Sequence, residues 1–168
     1  IDGTPIDVYF SPDDGVQASF LDLINNAEES IYFMAFSFTS DELGNAVRAR
    51  AEDGVEVKGV MEDEQVNSNA GTEFDPFQQA RLDVLRDGNE GQMHHKVMIL
   101  DESIVVVGSY NFSNSAETRN LAIPCRISTG IHPGAIIASK VGIKMTACFR
   151  EFPETGRNFF ISNSTIQM

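Results

Sequence analysis

Residues 31–38 (IYFMAFSF) are apolar at seven of eight positions. A strand sends alternate side chains to opposite faces, so a run of this kind must be covered on both sides and belongs inside a sheet. What flanks it follows from that. Upstream, residues 5–10 (PIDVYF) read as a strand and Ser11, Pro12, Asp13, Asp14 and Gly15 as a turn. Val16, Phe20, Leu23, Ile24 and Ala27 then recur at helical spacing, with Asp13 or Asp14 near the helix start. Downstream, Ser40 caps a second helix with Leu43, Ala46, Val47 and Ala51 on one side and Asp53-Gly54 as its stop. Residues 55–60 form the next strand. The order β-α-β-α-β predicts an α/β fold, a mostly parallel sheet with helices packed on it.

The rest of the chain is less regular. Residues 62–72 read as a polar surface loop, its run Glu62-Asp63-Glu64 as a solvated face or substrate rim. A short helix at 75–80, a strand at 82–85 and a turn at 87–91 lead to two apolar strands, 94–100 and 103–107. Asp101-Glu102 between them is short enough for a hairpin. Phe33, Phe36 and Phe38 are expected in the core; Phe74 and Phe77 are assigned there too, with the lining of a substrate groove as the alternative. With 168 residues the chain is expected to form a single domain, and no apolar run approaches the ~18 residues of a membrane-spanning helix. Cys125 and Cys148 allow at most one bridge, and no Cys-x-x-Cys or His/Cys cluster points to structural zinc. The chain opens on Ile1 without a signal-like segment, so a processed or excised segment is expected; its compartment is unknown, with export favoured. The net charge of −13 disfavours a broad electrostatic grip on nucleic acid or anionic lipid. It is also an average: residues 1–120 carry −16 and residues 121–168 carry +3.

The chemistry-bearing stretch is His94-His95-Lys96 followed by Asp101, Gly108, Ser109 and Asn111. Strand periodicity puts His94 and Lys96 on one face and His95 on the other. The next strand brings Ser109 and Asn111 to its end and the loop beyond it. An imidazole, an ammonium, a hydroxyl and a carboxamide are an inventory for holding a phosphate: one proton carrier or nucleophile, plus cationic and neutral donors for non-bridging oxygens. No metal-ligand cluster accompanies them, and no cofactor is expected.

The spacing His94-x-Lys96-x4-Asp101-x6-Gly108-Ser109-x-Asn111 resembles the HKD motif of the phospholipase D superfamily. The likeness extends to Asn111-Phe112-Ser113 and residues 116–120 (AETRN). Residues 34–40 (MAFSFTS) are similar to the strand-to-helix segment of that family's small single-motif nucleases. The resemblance covers roughly residues 5–120. It implies a phospholipase D-like mixed, mostly parallel sheet with helices on both faces, and a metal-independent phosphodiesterase. His94 would attack phosphorus to give a phosphohistidine that water then hydrolyses. Lys96 and Asn111 would hold the phosphate oxygens, with Ser109 as a further donor. Asp101, Gly108 and Glu117 fall to structural or supporting roles; His95 is expected packed, His132 in a loop or at a helix start.

The mechanism needs two reactive histidines and the chain has one motif. The resemblance therefore implies a homodimer pairing two copies of His94, or a second motif in a longer parent chain. A nonspecific endonuclease acting on DNA or RNA is the leading expectation. A phospholipase D cleaving lipid headgroups and a degenerate phosphate-binding module are the alternatives. The resemblance also implies, directly after Asn120, an acid-Glu-Asn run whose Glu bonds the nucleophilic histidine. This chain has Leu121-Ala122-Ile123 there. From that boundary the tail diverges, retaining only a helix-like pattern over 131–143, and a shifted reading frame or replaced segment would account for the change.

Overall fold

The apolar run becomes an interior strand, shorter than its composition predicts. The computed structural model describes residues 5–88 and 90–128. In it the chain forms β1 (Ile6–Val8), α1 (Val16–Asn25), β2 (Ser30–Ala35), α2 (Asp41–Glu52), β3 (Glu56–Met61), α3 (Asp63–Ser68) and α4 (Phe74–Gln79). β4 (Asp83–Arg86), β5 (Lys96–Leu100), β6 (Ile104–Gly108), α5 (Asn114–Thr118) and β7 (Pro124–Ser128) complete it. β2 stops at Ala35, because the chain there leaves the sheet toward Ser40; beyond it Phe38 makes only an isolated bridge to Phe112. The Ser40 hydroxyl accepts from Leu43 N–H, as expected of a cap, and Asp41 and Glu42 sit in the first turn of α2.

The seven strands run in the order β1-β7-β6-β5-β2-β3-β4. The sheet is mixed with helices packed on it, but its balance differs from a mostly parallel one. Only β2–β3 and β3–β4 are parallel; the other four pairings are antiparallel. The reason is connection length: the crossovers α2 and α4 serve the parallel part, whereas β5 and β6 join by a turn too short for one. Two further expectations change. Residues 63–68 of the predicted loop form a helix with Val66 facing the core. A closing strand, β7, follows residue 120; Pro124 and Arg126 disguise a strand whose ladder to β6 is regular.

Strand parity sorts the interior. Ile31, Phe33 and Ala35 of β2, Val57 and Met61 of β3, Met98 and Leu100 of β5 and Val106 of β6 join one buried cluster. All five described helices feed it, through Phe20 and Ile24, Leu43 and Val47, Val66, Phe77 and Ala116. Each of the Val, Leu, Ile, Phe and Met side chains among them contributes about 1.5–3 kcal/mol on burial. The Phe33 ring fills the space over Gly59, 2.3 Å from where a Cβ would stand, so its strand partner has to be glycine. The opposite face carries two smaller clusters, Met34 with Val60 and Met93, and Ile99 with Val105. The helix predicted over 131–143, His132 and Cys148 lie outside the described residues; Cys125 is half-buried on β7.

The β5–β6 turn carries positive φ at both central residues, Asp101 (50°) and Glu102 (47°), matching the twist of the strands it joins. Asp101 also ties this turn to the start of β2. Its carboxylate accepts backbone N–H from Glu28, Glu29 and Ser30 at 2.7–3.0 Å. Burial pushes its pKa up, but those backbone hydrogen bonds outweigh it and hold the group below the usual carboxylate range. The stability this confers is present above the unfolded-state pKa near ~3.9 and is lost as pH falls through the lower folded value. Asp101→Ala is expected to cost about 2–4 kcal/mol in urea unfolding at pH 7, with the deficit shrinking in strong acid.

Candidate active site

β5 begins at Lys96, so His94 lies just outside the ladder and not on a strand from residue 94. The cause is its neighbour: β2 ends opposite Lys96, and past that point one bond, Phe36 N–H to the His95 carbonyl at 2.8 Å, continues the pairing. His94 is exposed on this rim. Its ring meets Phe36 edge-on, with centroids 4.5 Å apart. The Lys96 ammonium lies 4.6 Å from the centroid of the same Phe36 ring and donates to the His94 carbonyl at 2.9 Å. The imidazole and the ammonium thus share one aromatic platform. Phe36, expected in the core, is half-exposed here; its position where β2 leaves the sheet was the available signal.

Lys96 is 6% exposed and makes no ion pair among the described residues. A buried ammonium without a counter-charge costs several kcal/mol, and burial lowers its pKa accordingly. Burial and the Lys96 charge lower the His94 pKa as well, favouring the neutral imidazole. Asn111 is half-buried, and its Oδ1 is enclosed without a hydrogen-bond partner. The Ser37 carbonyl takes Phe112 N–H at 3.1 Å, so residues 36–37 run between the histidine segment and the Asn111 loop. A buried cation stands beside the imidazole's segment, an arrangement that an oxyanion would complete, whereas the enclosed Asn111 Oδ1 is an acceptor and calls for a donor.

The remaining candidates fall elsewhere. The Ser109 hydroxyl is exposed and accepts from Ile123 N–H at 2.9 Å, so its oxygen braces the entry to β7. At Gly108 a Cβ would stand 2.1 Å from the Ile123 carbonyl, which explains the glycine by close backbone approach. Asp101 is at the opposite end of β5 from His94. Glu117 accepts from Gln17 N–H at 3.0 Å and from the Tyr110 hydroxyl at 3.1 Å; it serves the start of α1 and makes no bond to His94. Burial, reinforced by Glu117, pushes the Tyr110 pKa up. His95 is more enclosed than His94, its Nδ1 buried and unpaired, and its pKa is lowered by burial first and then by the neighbouring Lys96 and His94. Ala122, where the resemblance places a glutamate, is buried and bridged to Ser11, and no described carboxylate bonds to His94. Glu62 corrects the expectation of a solvated acidic face: it is 3% exposed and accepts from Met93 N–H. Nothing in its polar neighbourhood signals burial, except that it ends a strand.

A family model described as "Cardiolipin synthase, PLD-like domain" matches residues 20–130. The chain belongs to the phospholipase D superfamily. Among solved structures it is similar to Nuc from Salmonella typhimurium, described as a phospholipase D family member. The TM-score is 0.70 at 29% identity, covering 78% of this chain and 86% of that one. Among curated relatives, a phospholipase D of Rickettsia prowazekii is 32% identical over 111 residues, 66% of this chain and 54% of the relative. A mitochondrial cardiolipin hydrolase of Chlamydomonas reinhardtii is 31% identical over 101 residues, 60% of this chain and 45% of the relative. This phospholipase D-like domain therefore spans about half the length of the curated relatives it matches, and most of the length of Nuc.

Proposed function

We propose that this phospholipase D-like domain is a metal-independent phosphodiesterase. The observation that carries the reading is the buried, unpaired Lys96 ammonium sharing the Phe36 ring with an exposed, neutral-leaning His94. The Lys96 ammonium and the Asn111 Nδ2–H groups donate to the non-bridging oxygens. An imidazole nitrogen of His94 attacks phosphorus, the phosphodiester P–O bond breaks, and the departing oxygen takes a proton from a second histidine. Water, deprotonated by that same histidine, then displaces His94 from phosphorus. Residues 1–168 supply one such histidine, and the second is assigned to a second copy of this chain, with a second motif in a longer parent chain as the other source.

Nucleic acid is the favoured substrate, on the single His94-x-Lys96 motif and the likeness of residues 34–40 to the family's small single-motif nucleases. One observation favours lipid: Leu121 and Ile123 are 84% and 45% exposed, and Ile123 is bonded to Ser109. A hydrocarbon rim of this kind suits a bilayer surface. Incubation with plasmid DNA, single-stranded DNA, RNA and phospholipid vesicles in EDTA separates these readings. Nucleic acid cleavage is expected. Cleavage of phospholipid alone would establish the second reading, and turnover restored only by added metal would overturn the mechanism. Phosphate binding without any turnover would make the domain a degenerate binding module. The paired site is tested by mixing wild-type protein with His94→Ala: activity is expected to fall as the square of the wild-type fraction, and a linear fall would exclude shared sites.

A further inference from the structure

Glu62, the residue directly after β3, has no part in the proposed reaction. Its backbone N–H donates to the Ala35 carbonyl at 3.1 Å, and Ala35 is the strand partner of Lys96. Its side chain is buried beside the segment 92–95, which has no regular secondary structure and leads into β5. One carboxylate oxygen accepts the N–H of Met93, the residue before His94. The surrounding bonds fix the rest of that segment. The His94 carbonyl accepts from Lys96 Nζ, and the His95 carbonyl accepts from Phe36 N–H. Met93 N–H is the peptide donor on the approach to His94, and a buried donor of this kind has to find an acceptor. The neighbouring strand, which would normally supply a carbonyl, has already ended.

We propose that Glu62 is a positioning residue for His94, its carboxylate replacing the absent strand partner of Met93 and so fixing where the imidazole stands over Phe36. The proposal rests on the phosphodiesterase reading only for its effect on turnover. A buried carboxylate is an expensive acceptor: burial, and the charge of nearby Asp87, push the Glu62 pKa up against the bond from Met93. A residue kept only for solvation would not be enclosed there. Asp87 supplies the contrast. It is also buried, but its Oδ1 accepts from Asp63 N–H at 2.9 Å, at the start of α3 and away from the histidine segment, while its Oδ2 has no partner.

Three variants test the assignment: Glu62→Gln keeps size and an acceptor oxygen, Glu62→Met keeps size without an acceptor, and Asp87→Asn removes the neighbouring charge. Two readouts need no turnover: hydrogen exchange at the Met93 amide, and the shift of the His94 imidazole resonance on titration with inorganic phosphate. In Glu62→Met the Met93 amide is expected to lose its protection and phosphate to move the His94 resonance less. Where the domain turns over substrate, kcat falls by about 10–100-fold with KM nearly unchanged. Glu62→Gln is expected to restore protection and to bring kcat within a few-fold of wild type, and Asp87→Asn to stay within about twofold. Wild-type exchange and wild-type His94 shifts in Glu62→Met would overturn the proposal. So would a Glu62→Gln protein as impaired as Glu62→Met at the same melting temperature. Altered exchange and His94 shifts in Glu62→Met, in a protein whose wild type has no turnover, would support the positioning role and overturn the phosphodiesterase reading alone.

Discussion

His94→Ala is expected to reduce phosphodiester cleavage by at least about 10³-fold while leaving the fold intact, since removing a covalent nucleophile leaves only binding and electrostatic stabilisation. The fold should survive because His94 lies outside β5, is exposed, and its ring makes no hydrogen bond among the described residues. Melting temperature within about 2 °C of wild type, against the lost activity, separates chemistry from stability. Retained turnover in His94→Ala would remove the phosphohistidine from the mechanism. The pH profile carries a second expectation. A nucleophilic imidazole must be neutral, and both burial and Lys96 lower its pKa below the ordinary 6.5. Protonation therefore sets in only at lower pH, and the acid limb of kcat/KM is expected below 6.5 in the free enzyme. Replacing Lys96 with an uncharged residue should move that limb upward.

Much of this site is legible in the sequence because backbone periodicity carries information over a few residues. His94 and Lys96, two apart, do meet the same ring. Ser40 caps α2, and the Asp101-Glu102 turn joins two antiparallel strands. The misreadings share a cause: they concern residues whose environment is set by distant chain. Glu62 reads as solvated because its neighbours are acidic and polar, yet its burial comes from Met93, 31 positions away. Glu117 finds its partner Gln17 across 100 residues. β7 is missed because Pro124, Cys125 and Arg126 do not alternate as an isolated strand should, and pairing with β6 overrides local preference. The excess of antiparallel pairs has the same origin, since strand order is settled by contacts that no short window contains.

Lys96→Met is expected to raise stability while abolishing function. Wild-type Lys96 holds an ammonium at 6% exposure with one carbonyl acceptor and no carboxylate among the described residues. A thioether of similar length removes that desolvation cost and keeps the packing against Phe36, a gain of about 1–3 kcal/mol, or roughly 3–8 °C in melting temperature. The sign of the pH dependence follows from the lowered pKa of Lys96. Between that folded value and the unfolded value near ~10.4, the unfolded chain binds more protons, so wild-type stability rises with pH there. The advantage of Lys96→Met should accordingly be full near neutrality and close as pH rises through that window. Phosphate should act in the opposite sense. At about 100 times its dissociation constant a ligand stabilises by about 2.7 kcal/mol, which wild-type protein should gain and Lys96→Met should not. Catalysis in the variant is expected to fall by at least about 10²-fold, because the lost charge faces the phosphate in ground and transition states alike. A variant less stable than wild type at pH 7 would mean that Lys96 is satisfied without an anion. The destabilised cation would then no longer serve as evidence for a phosphate site, and the case for phosphodiester chemistry would rest on family membership alone.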